Sequence, residues 1–225
     1  MKLVKCGKIV VASLCMMATL AGAAMPALAI SPTGCTSLAQ IEECNDDEEA
    51  QVQALKAAIA KVNVKYDEVQ RSWEFDSPIY DKAEKNKTCC LSPWIYIFDG
   101  CKDVYFDEDF SYNGSSCIDL NTVYVRAGDN LYTYECDPDY TDYAYDTDKK
   151  LWWALSNFEM EPSEIDWLRE MLSAKTIITR YSGASGAQYD YTWTADDRQA
   201  VTDMVNLYDL LVAASPEVRA RALRG

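Results

Sequence analysis

The chain has 225 residues, no histidine, and 36 acidic against 21 basic side chains, for a formal charge of −15. The missing imidazole excludes a Ser-His-Asp triad, a Cys-His pair and any histidine-ligated metal centre. The charge makes nucleic acid and anionic membranes poor partners and favours cationic peptides, basic proteins or divalent cations.

Residues 1–29 have the order of a cleavable signal peptide: Lys2, Lys5 and Lys8, an apolar run from Ile9 to about Ala24, then Ala27-Leu28-Ala29. The apolar run is shorter than the ~20 residues a bilayer span requires. The chain is therefore expected to be secreted, or held in the periplasm or cell envelope, with no transmembrane segment once the signal is removed. Residues 30–45, punctuated by Pro32 and Gly34, read as a linker or arm.

The cysteines beyond the signal are Cys35, Cys44, Cys89, Cys90, Cys101, Cys117 and Cys136. An exported chain favours disulfides among them, and the odd number leaves one thiol free or available for an intermolecular bond. Cys35 and Cys44 would close a short local loop. Zinc is disfavoured, since the chain has no Cys-x-x-Cys spacing.

Asn45 followed by the acidic run Asp46–Glu49 predicts a helix start. Val52, Leu55, Ile59, Val62, Tyr66, Val69 and Trp73 then recur at spacings of three and four, predicting a helix over about 46–72 packed on the protein's own sheet. A coiled-coil partner is the alternative, and residues 62–66 also fit a strand.

From Trp94 to Glu159 the period becomes two, with strands expected at residues 94–98, 104–110, 122–126, 131–134 and 151–158. Gly100, Asn113-Gly114 and Gly128-Asp129-Asn130 lie between them as turns, giving an antiparallel meander. Pro162 opens a short helix carrying Ile165, Leu168 and Leu172. Strands over 176–181 and 188–193 follow. Thr194 with Asp197 forms a capping-box pattern ahead of a last helix lined by Val201, Met204, Val205, Tyr208, Leu211 and Val212. Residues 216–225 read as a frayed tail. The expected fold class is α+β: an antiparallel sheet packed by an N-terminal, a short and a C-terminal helix, as one domain over residues 46–215.

Ile177-Ile178-Thr179-Arg180-Tyr181-Ser182-Gly183, and Asp197-Arg198-Gln199-Ala200 leading to Leu207-Tyr208, resemble the C-terminal module of uncharacterised exported bacterial proteins. Pro93-Trp94-Ile95 and the short helix fit the same order. The resemblance spans roughly Pro93 to Leu211 and implies a fold; it brings no catalytic residues with it.

Among candidate chemistries, Gly183-Ala184-Ser185-Gly186-Ala187 approaches a nucleophile elbow, but a strand follows it and a hairpin turn explains it better. Asp107-Glu108-Asp109 reads as a solvated strand edge. The segment 137–148 reads as a loop carrying Asp137, Asp139, Asp142, Asp146 and Asp148, oxygen ligands of the kind calcium takes, although the spacing is not that of an EF-hand. Calcium is the one cofactor this leaves open. Tyr140, Tyr143, Tyr145 and Trp152 supply rings that stack on sugars or hold cations. The function expected from these residues is a non-enzymatic envelope protein presenting an acidic, tyrosine-rich face to a protein or glycan. A histidine-free, carboxylate-based glycan hydrolase and a self-associating envelope component are the alternatives.

Overall fold

The computed structural model describes residues 38–80, 90–99 and 103–224, with residues 38–46 and Cys90 as backbone alone. The signal-like segment, most of the arm, and Cys35, Cys89, Cys101 and Gly100 lie outside them.

Helix α1 (Leu38–Ile59) begins earlier and ends earlier than the sequence predicts. Asn45 and its acidic run lie inside it, so they do not cap its start. Its last turn tightens through Lys61 N–H to Ala58 O (3.1 Å) and Val62 N–H to Ile59 O (3.2 Å), and the chain then leaves as a hairpin, β1 (Asn63–Asp67) and β2 (Ser72–Asp76). Asp67 explains the break. Its Oδ1 accepts the amides of Val69 (2.7 Å) and Gln70 (2.8 Å), building a turn that Arg71 completes at φ 57°. Tyr66 and Trp73, two turns apart on the expected helical stripe, instead face each other across the hairpin with ring centroids 4.9 Å apart. Val69 at the tip is 94% exposed.

The remaining strands are β3 (Cys90–Phe98), β4 (Tyr105–Gly114), β5 (Leu120–Ala127), β6 (Asn130–Glu135), β7 (Thr141–Asp146), β8 (Leu151–Glu159), β9 (Ile177–Gly183) and β10 (Gln188–Thr192). All pair antiparallel, in two sheets: six strands in the order β1-β2-β3-β4-β8-β7, and four in the order β10-β9-β5-β6. The fold is thus α+β with antiparallel sheets packed by helices.

The two sheets share one core. Phe110 meets Tyr134 at 4.9 Å and Tyr112 meets Tyr181 at 5.9 Å between ring centroids. Helix α2 (Pro162–Ser173) buries Ile165, Leu168 and Met171. Helix α3 (Ala195–Ala213) lies against β3 and stands Tyr208 edge-on to Phe106 of β4, at 5.5 Å. Its capping box forms as expected: Asp197 N–H donates to Thr194 Oγ1 (3.2 Å), and Thr194 N–H to Asp197 Oδ2 (2.6 Å). Tyr191 O–H also donates to Asp197 (2.8 Å), tying β10 to α3. The buried face of α1, Val52 and Leu55, joins the shared core, with α3 and α4 (Pro216–Arg224) as its main neighbours.

The existence of α4 corrects the expected frayed tail. Val218, Arg219 and Ala222 are buried, and the Arg219 Nε–H donates to Leu211 O at 2.6 Å, with Nη2 reaching Val212 O at 3.5 Å. One guanidinium thereby satisfies carbonyls that the end of α3 leaves open. Arg221 pairs with Glu48 (3.4 Å) and Glu49 (2.5 Å) on α1. No helix among the described residues is long and apolar enough to cross a membrane.

Candidate functional site

Strand β4 lies inside the six-stranded sheet, between β3 and β8, and carries Asp107, Glu108 and Asp109. This overturns the reading of these acids as a solvated edge. Alternation sends Asp107 and Asp109 to one face and Glu108 to the other. On the first face Asp107 lies between Trp94 of β3 and Glu159 of β8, and Asp109 between Ser92 and Asn157. Asn157 Nδ2–H donates to Asp109 Oδ1 at 2.8 Å. Tyr80, in the helical residues 78–80, closes on Trp94 from above, ring centroids 6.2 Å apart. Burial, then the charges of Glu159 and Asp109, push Asp107 up to about 6. Burial also raises Asp109, against the Asn157 hydrogen bond.

Glu108 faces the core. It is fully buried, and neither carboxyl oxygen has a hydrogen-bond partner among the described residues. Phe158 lies opposite it on β8 and meets the ring of Tyr134, whose hydroxyl is likewise buried and without a partner. Burial, with the charges of Asp109 and Asp107, holds Glu108 far above the usual carboxylate range. The parity of the strand carries the signal that the sequence reading passed over. Glu108 shares its face with Phe106, Phe110 and Tyr112, all apolar core residues.

The second grouping lies on β7, an edge strand of the same sheet. Residues 137–148 were expected as a loop; they form a single 3-10 turn (Pro138–Tyr140), strand β7, and a tight turn into β8. Thr141, Tyr143 and Tyr145 alternate on one face and pair with Ser156, Ala154 and Trp152. The structure therefore brings Tyr143, Tyr145 and Trp152 together: the tyrosines are 53% and 49% exposed, and Tyr145 lies 5.5 Å from the half-buried Trp152 ring. Tyr140, on the preceding turn, is exposed as well.

The carboxylates of this segment disperse. Asp137 Oδ1 accepts Asp139 N–H (2.9 Å), and Asp146 Oδ1 accepts Asp148 N–H (2.9 Å) and Lys149 N–H (2.8 Å), so both serve as turn caps. Asp142 and Asp146 project from the face opposite the tyrosines, and Asp139 and Asp148 are exposed on turns. Among the described residues no three histidine, cysteine or acidic side chains gather into a metal-binding group.

Cys117 and Cys136, two of the disulfide candidates, form no disulfide among the described residues. Burial pushes the Cys136 thiol up to about 11, a hydrogen bond with Ser156 working against it. The side chains of the other candidates, Cys35, Cys44, Cys89, Cys90 and Cys101, lie outside the described residues. Ser185 occupies the β9–β10 turn beside Gly186 at φ 87°, and its hydroxyl donates to Asp119 Oδ1 at 2.7 Å. A Cβ on Gly183 would stand 2.4 Å from that same oxygen, so the glycine makes room for the tie. The segment is a hairpin turn, as expected.

Comparison with known proteins finds no matching family model, curated protein or solved structure.

Proposed function

We propose that this is an exported binding protein of the cell envelope, in which strand β7 presents Tyr143 and Tyr145, with Trp152 beside them, to a glycan or protein segment. The observation that carries the reading is the pair of half-exposed tyrosines on one face of a strand whose outer edge pairs with no described strand. Aromatic faces stack on sugar rings, and an open strand edge offers backbone donors and acceptors to an extended peptide. Export is supported by the signal-like order of residues 1–29. Co-sedimentation with an insoluble envelope fraction tests the reading: wild type should bind and Tyr143→Ala/Tyr145→Ala should not. Protease treatment of the fraction then separates a protein ligand from a glycan. Equal sedimentation of both proteins would remove the assignment.

A second reading, carboxylate-based glycan hydrolysis, is favoured by Asp107 and Asp109 alone. They leave one face of β4 from backbone positions two residues, or about 6.6 Å, apart, which lets the side chains reach the roughly 5–10 Å separation of paired glycosidase carboxylates. In this reading Asp107, raised to about 6, would serve as the acid, and the Asn157-bonded Asp109 as its partner. Turnover of a glycan panel that disappears in Asp107→Asn is required; without turnover by the wild type, this reading falls.

A further inference from the structure

The outer face of the four-stranded sheet holds a depression of about 400 Å³ lined by Tyr124 and Arg126 of β5, Leu131 of β6, Ile178 and Arg180 of β9, and Gln188 and Asp190 of β10. Register fixes the layout. Arg126 has Leu131 on one side and Ile178 on the other, while Tyr124, two residues along the same face, has Arg180 beside it. Arg180 is engaged: its Nε and Nη2 donate to the two oxygens of Asp190 at 2.6 and 2.7 Å. Arg126 is not. Its side chain is exposed and makes no hydrogen bond or ion pair among the described residues.

An uncompensated guanidinium stands out in a chain of formal charge −15. Its surroundings are also unlike an ordinary solvated position. Two aliphatic side chains flank it, one of them Leu131 at 51% exposure, with an aromatic ring alongside. A planar fork of N–H donors set among apolar walls matches a carboxylate carried on a body with apolar faces. The opposite wall is polar with both signs of hydrogen-bonding capacity: the Gln188 amide, the free lone pairs of Asp190 and the remaining N–H groups of Arg180. Such mixed donors and acceptors suit hydroxyl groups, which an acidic peptide would not supply in number.

We infer that this depression is a binding site for an acidic saccharide, with the sugar carboxylate on Arg126, the ring against Tyr124, Leu131 and Ile178, and its hydroxyls on Gln188 and the Arg180–Asp190 pair. The site belongs to a different sheet from β7 and does not depend on the tyrosine edge. Either assignment can fail alone.

The test is calorimetry at pH 7 and low salt with trigalacturonate as the probe and its methyl ester as the uncharged control. Trigalacturonate should bind at least tenfold more tightly than the ester, and more weakly as salt rises. Arg126→Ala should weaken binding roughly tenfold or more, the loss of a charge-assisted bidentate contact. Arg126→Lys should retain part of it, Tyr124→Ala should weaken it, and Tyr143→Ala/Tyr145→Ala should leave it unchanged. Circular dichroism checks that each substituted protein folds. No binding of trigalacturonate at millimolar concentration, equal binding by Arg126→Ala, or equal binding of a short polyglutamate would overturn the inference. So would concentration-dependent self-association abolished by Arg126→Ala, which would make the face a contact between copies.

Discussion

Glu108 offers the sharpest energetic test because both its oxygens are buried and unpaired among the described residues. Glu108→Gln keeps the shape and removes the titration; Glu108→Met removes the polar group as well. The carboxyl's folded pKa lies above its ordinary 4.5. Below that value the side chain is neutral in both states and costs no ionisation. As pH rises past it, the unfolded chain ionises while the folded chain resists, so the native state loses about 1.4 kcal/mol per pH unit until the folded pKa is passed. Stability contributed at low pH is thus lost on the alkaline side. Urea unfolding followed by tryptophan fluorescence from pH 4 to 8 should show the wild-type curve falling away from that of Glu108→Gln as pH rises above the ordinary carboxylate range. At pH 7 Glu108→Met should be more stable than wild type, because an unsatisfied buried polar group costs about 1–3 kcal/mol. Parallel wild-type and Glu108→Gln curves, or a Glu108→Met protein less stable at pH 7, would refute the account of this residue.

Arg219→Ala should lower stability by about 2–4 kcal/mol, since it strands the Leu211 and Val212 carbonyls and loosens α4; thermal unfolding reads the loss, and an unchanged midpoint would restore the frayed tail. Cys136, held at about 11 by burial, is roughly one-thousandth thiolate at pH 8 and should be alkylated far more slowly than an unperturbed thiol. Peptide mapping after brief iodoacetamide treatment measures this. Asp107→Asn should flatten the stability profile between about pH 4 and 6, because the raised carboxyl weakens the native state progressively across that window. Titration of the unfolding midpoint against pH reads the change.

Elements whose ends carry their own chemistry were legible in the sequence. Pro162 opens α2, and Thr194 with Asp197 opens α3, because these side chains satisfy backbone groups locally. Strands β9 and β10 and the Gly128 turn, at φ 61°, followed from alternation and a left-handed glycine. The helix over 46–72 overran because Val62, Tyr66, Val69 and Trp73 keep helical spacing by coincidence, while the Asp67 turn decides the fold there. Strand β7 was hidden by its aspartates and Pro138, which weigh against a strand even though Tyr143 and Tyr145 alternate correctly. Helix α4 was invisible for another reason: its anchor, Arg219, acts on carbonyls of a different helix. The division into two sheets depends on register across distant segments, which no local pattern encodes. At the site, the tyrosines were legible as residues but their edge position was not, and the burial of Glu108 was legible only from its parity with Phe106 and Phe110.

The central claim is that β7 is the docking edge. Amide hydrogen exchange of the protein with and without the solubilised envelope fraction tests it most directly, because an occupied edge or a covered tyrosine face slows exchange along the strand. The account predicts new protection over residues 141–146 that is absent in Tyr143→Ala/Tyr145→Ala. Protection confined to other strands, with β7 exchanging as in the free protein, would contradict it.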